Sequence, residues 1–166
     1  MRVYVPLTLP ALSQAHGAGE LGPAPFEAYA VTEGLRTWWD SEDGEELEYA
    51  ALGQAAAASL WRLAEDYEAT RRRVVVVAEA PDATVQSADG DAEDPVGRVR
   101  VTAPVPLTKA AAVHLDAEDA VEDVTAAIGA LTAAAQGDEK AQAVVDGAGD
   151  HELLWFATQE IPALIG

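Results

Sequence analysis

Four consecutive valines, Val74–Val77, directly after Arg71, Arg72 and Arg73, constrain this chain more than any other feature. An unbroken β-branched run has no polar face to give to water, so it belongs to a strand buried on both sides. A central strand is therefore expected over Arg73–Ala80, flanked by other strands. Arg2–Leu7 (RVYVPL) reads as a strand whose end, at Pro6, lies near an edge or a bulge. Phe26–Thr32 (FEAYAVT) is a second, entered through Pro23 and Pro25. Arg98–Thr102 (RVRVT) alternates and is half exposed, and Lys109–Leu115 is its hairpin partner or its continuation. His151–Ala157 (HELLWFA) closes the set as a strand buried at its centre.

Helical periodicity is clearest over Glu45–Asp66, where apolar residues cover much of the circumference and predict a helix pressed on a sheet. Thr8 caps a short helix that runs to Ala18. Asp116 is expected to cap a helix through Gln136, and Asp138–Asp146 forms a shorter one. These elements predict a single α+β domain over residues 1–166. Its core is a mixed sheet of about five or six strands with helices packed mainly on one face. An α/β sandwich is the alternative. So is a duplicated ferredoxin-like fold, because VPLT occurs at Val5–Thr8 and again at Val105–Thr108. Residues 81–95 (PDATVQSADGDAEDP) are polar and acidic and are expected to form a mobile loop.

Charge narrows the functional classes. Ten Lys and Arg stand against 29 Asp and Glu, a net charge of −19. Phosphate backbones and anionic lipid surfaces are repelled by such a chain, so neither nucleic acid nor membrane is an expected partner. The arginine trio is the one basic cluster, and its expected role is to complement the C-terminal end of the preceding helix. There is no cysteine, which removes disulfides, thiol catalysis and cysteine-held metals. The apolar start, Met1–Leu12, is interrupted by Pro6 and Pro10, unlike a secretory signal, and the expected location is the cytoplasm.

Residues with catalytic potential are few. The three histidines, His16, His114 and His151, show no metal-ligand spacing, and no metal or other cofactor is expected. His16 suits a helix C-terminus. His114 alternates with Val113 and Leu115 and points away from them. His151 is the best candidate for a functional histidine, because Asp150 or Glu152 could orient its ring. None of Ser13, Ser41, Ser59 and Ser87 sits in a nucleophile motif, and no glycine-rich nucleotide loop occurs. The acidic run Asp40–Glu48 lacks the full spacing of a calcium loop and Asp89–Asp94 could hold calcium only weakly, so both are expected to be solvated charge. The adjacent Trp38 and Trp39 are the candidate binding residues. Either both cover the N-terminal end of the long helix, or one plugs the core, with Trp39 as the choice, and the other covers a groove.

Three stretches carry a resemblance. They are RVYVPLTLP with FEAYAVTEGLR, then GEELEYAALGQAAAASLWRL running into RRRVVVVAEAPDA, and the closing HELLWFATQEIPALI. Together they resemble a functionally uncharacterised family of small acidic proteins from actinobacteria. That resemblance implies a bacterial cytoplasmic protein and brings no reaction, cofactor or catalytic residue. The leading functional expectation is a non-catalytic interaction or regulatory module, with an unknown protein or a second copy of the chain as candidate partner. A small hydrolase using a histidine and a carboxylate in a cleft is one alternative. An acidic mimic of nucleic acid that occupies a basic partner is the other. A deep pocket converging on a histidine would favour the hydrolase.

Overall fold

A computed structural model describes residues 1–88 and 96–166. The chain forms β1 (Arg2–Leu7), α1 (Leu9–Ala18), β2 (Glu20–Leu21), β3 (Phe26–Tyr29), α2 (Glu33–Trp39) and α3 (Gly44–Ala64). It continues with β4 (Val74–Glu79), β5 (Val85–Ser87), β6 (Arg98–Val101), β7 (Val105–Pro106) and β8 (Ala110–Leu115). Helices α4 (Val121–Ala135) and α5 (Glu139–Gly149), strand β9 (Leu154–Phe156) and helix α6 (Ile161–Ile165) complete it. Seven strands form one sheet in the order β5-β6-β3-β1-β4-β8-β9, and β2 pairs with β7 in a separate ribbon.

The fold is a single α+β domain, as expected, with more strands than the sequence suggested. The sheet is not mixed: every described pair is antiparallel. The two VPLT segments have different fates. The first ends β1 and caps α1, whereas the second forms β7 and a 3-10 turn.

The valine run sits in β4, directly beside the central strand β1, and its alternate side chains feed two cores. Val74, Val76 and Ala78 join Val3, Val5, Val113 and Leu115 against Leu12 of α1 and Ile161 of α6. Val75 and Val77 join Tyr4 and Tyr29 against Leu35 of α2 and the small residues Ala51, Ala55 and Ala56 of α3. Helices therefore cover both faces rather than mainly one, as a strand with two apolar faces requires. Burial pushes the Tyr4 phenol up to about 12, with Glu48 adding to the shift. A third cluster joins Leu60 and Leu63 of α3 to Val124, Ala127 and Leu131 of α4 and Ala148 of α5.

Several local expectations are corrected. Strand β8 is neither hairpin partner nor continuation of β6; it pairs with β4 and β9. Strand β9 is short and lies at the sheet edge, so Trp155 at its centre is 62% exposed rather than buried. Part of the expected loop is ordered. Asp82–Thr84 forms a 3-10 turn and β5 pairs with β6 through Val85↔Val101 and Ser87↔Val99. Residues 89–95 of that loop lie outside the described residues. Asp116 does not cap α4, whose N-cap is Ala120. Its carboxylate is turned inward, where Arg73 holds it with both fork nitrogens at 2.8 Å. A fully buried guanidinium needs such a partner more than a helix needs a cap.

Of the arginine trio only Arg71 takes the expected role at the end of the preceding helix. Arg71 donates to the carbonyls of Leu63 and Asp66 at 2.8 Å, closing the end of α3. Arg72 donates to the Asp116 carbonyl, also at 2.8 Å.

Candidate functional site

The hydrogen-bond parity of β1 decides where the sheet opens. Met1 N donates to Ala80 O and Ala80 N donates back to Met1 O, so odd-numbered residues of β1 aim their backbone groups at β4. Tyr4 and Pro6 consequently aim theirs at β3. On β3, Ala30 N donates to Gly97 O beyond the strand end, so even-numbered residues face β6, and Glu27 and Tyr29 face β1. Tyr4 pairs with Tyr29, and continuing that register would set Pro6 opposite Glu27 and Thr8 opposite Pro25. Both prolines lack the N–H that the ladder would need at those positions. Pairing stops after Tyr4, and the two strands part.

The gap between them is a cleft of about 590 Å³. Val5, Leu7, Ala11, Ala15, Leu21 and Phe26 give it apolar walls. Glu20, Glu27, Glu65 and Asp66 bring carboxylates to it, and Arg62 brings one guanidinium. Glu27 accepts a 2.7 Å bond from Arg98. The hydroxyl of Thr8 accepts from Ala11 N at the start of α1. Smaller depressions of about 320 and 310 Å³ adjoin it and share Glu27; the second contains Trp61.

Ser59 holds the other side of β1 at the same level. Its hydroxyl donates to Leu7 O at 2.7 Å and accepts from Val74 N at 3.1 Å. A completely buried serine thus bridges the last β1–β4 pair and ties α3 to the strand that walls the cleft.

The residues singled out from sequence lie elsewhere. Trp38 and Trp39, in the last turn of α2, are 72% and 46% exposed, so neither plugs the core; only Leu35 of that helix is buried. Replacing either tryptophan by alanine should change stability by no more than about 0.5 kcal/mol, checked by thermal or urea melts. His16 falls in the last turn of α1, as expected. His151 meets neither neighbouring acid; its Nε2 lies 2.7 Å from Oδ2 of Asp123 on α4. Its carbonyl accepts from Arg73 Nη2 at 3.0 Å. No histidine lines any of the three depressions. Among the described residues no group of three or more His, Asp or Glu is arranged to hold a metal ion.

His114 stands between Val75 and Trp155, on the opposite face from Val113 and Leu115. Its Nδ1 is buried without a hydrogen-bond partner, and burial lowers its pKa below 6.5. Between that lowered value and about 6.5 the unfolded chain binds more protons than the folded one. Stability should therefore fall as the pH drops through this window and level off below it. Denaturant melts of His114→Gln across the same range should lack this component. An identical slope in the two proteins would assign it to other groups.

The signal for the cleft was present in Pro6 and Pro25, but only the register shows that both fall in the stretch where β1–β3 pairing is lost. No curated protein and no solved structure matches the chain. One family model does match, over residues 1–165, and that family is described as being of unknown function. The chain accordingly belongs to this family of unknown function (DUF6912).

Proposed function

We propose that the protein is a non-catalytic binding module, with regulatory potential, whose ligand occupies the cleft between β1 and β3. The observation that carries this reading is the character of the cleft itself. It is a preformed, largely apolar hollow within the size range of small-molecule sites. Its lining includes no histidine, serine or tyrosine, and its ionisable side chains are four carboxylates and one guanidinium. The hydrolase alternative draws on the His151–Asp123 pair, but that pair lines none of the described depressions. In the favoured reading the module works in the bacterial cytoplasm, where a cysteine-free chain has no need of an oxidising compartment. Nucleic acid is not its partner, given the net charge of −19. Among the described residues no helix is long and apolar enough to cross a membrane.

A fragment screen followed by amide chemical shifts tests the proposal. Hits should move resonances of Ala11, Ala15 and Phe26, and Ala11→Trp, which fills the cleft from its helical wall, should abolish those shifts. Hits that gather around His151 and Asp123 instead would overturn the reading in favour of the enzyme alternative.

A further inference from the structure

Resting on that reading, we infer that the cleft selects a small amphipathic amine, an apolar body carrying a primary ammonium group. Three independent features of the cleft point the same way. The first is its backbone chemistry. Within the cleft lining Pro6 and Pro23 contribute carbonyls and no N–H, so the walls are richer in acceptors than a normal strand edge. An ammonium has three donors and no acceptor, which complements such walls.

The second feature is charge. Four carboxylates and one guanidinium line the cleft. Arg98 answers Glu27 at 2.7 Å. Arg62 lies three and four residues before Glu65 and Asp66, the acids that follow the end of α3, so its field is largely cancelled by them. Glu20 on β2 has no such neighbour in the cleft lining, and the residual potential is negative. A carboxylate or phosphate ligand would meet that potential with the wrong sign. The third feature is size and shape. The prolines that part the strands also obstruct the addition of an extended peptide as a new strand. Walls of Val5, Leu21 and Phe26 suit a compact alkyl or aryl body instead.

Matched probes separate the chemistry from the site. Hexylamine, hexanol and hexanoate share one alkyl chain and differ only in the head group. Titrated into the isotope-labelled full chain at fixed pH and moderate salt, hexylamine should shift the amides of Ala11, Ala15 and Phe26. Its apparent affinity should exceed that of hexanol by about tenfold, the weight of one partly desolvated charge contact, and hexanoate should leave these amides unmoved. Glu20→Gln and Glu65→Gln remove one charge each from exposed positions. Each should weaken hexylamine several-fold and leave hexanol unchanged, whereas Glu139→Gln on α5, outside the cleft lining, should do neither. Equal binding of hexanol and hexylamine, or preference for hexanoate, would overturn the amine assignment while keeping the cleft as the site. If no probe moves the cleft amides, the amine assignment is overturned. If the fragment screen is also silent there, the binding reading falls with it.

Discussion

Asp116→Ala should destabilise the protein by about 3–5 kcal/mol, the range for removing one partner of a buried ion pair. The side chains of Arg73 and Asp116 are 3% and 0% exposed. The carboxylate accepts from the Arg73 backbone N–H at 2.7 Å as well as from Nε and Nη2. Its removal strands a guanidinium inside the protein and leaves an amide unpaired at the start of β4. Urea unfolding of the variant beside the parent gives the figure. Arg73→Met combined with Asp116→Leu should cost less than the sum of the two single changes, because no lone charge remains. If the double variant were additive, the pair would contribute through separate contacts rather than through each other.

The second large effect belongs to Ser59. Ser59→Ala should cost about 1–3 kcal/mol for each buried group it leaves unpaired, and it leaves two, Leu7 O and Val74 N. Some relaxation of the last β1–β4 pair should reduce the total. Hydrogen exchange locates the effect. The amide of Val74 should lose protection well beyond the global change, whereas amides at the opposite end of β4, near Ala78, should follow global stability only. Uniform loss along β4 would mean that the hydroxyl holds the whole strand rather than its end.

What the sequence made legible follows from which residues have only one physical solution. The valine run could be nothing other than a doubly covered strand, and Thr8 and Gly19 end α1 where their chemistry says they should. The strand partners were not legible. Lys109–Leu115 follows β6 closely in sequence, yet it pairs with β4 because Leu115 and Val113 complete the core beneath α1 and α6. Asp116 looks like a helix cap by position. Only the buried Arg73, 43 residues away, decides its role. Trp38, Trp39 and His151 drew notice as unusual residues, but the cleft is built from ordinary ones. Its origin lies in the register between Pro6 and Glu27, a relation between two strands that no local pattern encodes.

Helix α3 has a mechanical consequence. It is 21 residues long, about 31 Å at 1.5 Å per residue, and it crosses two cores. Its first half lies on the sheet through Leu47, Ala51 and Ala55, and its last turns are clasped by α4 and α5 through Leu60 and Leu63. Arg62, at the same end, is part of the cleft wall. A rod anchored at both ends cannot tilt at one of them alone. Any occupant that pries the cleft open against this wall pushes on a beam, and the α4–α5 hairpin must move with it. The α4–α5 pair is thus the first packing neighbour that a displacement of the Arg62 wall would reach.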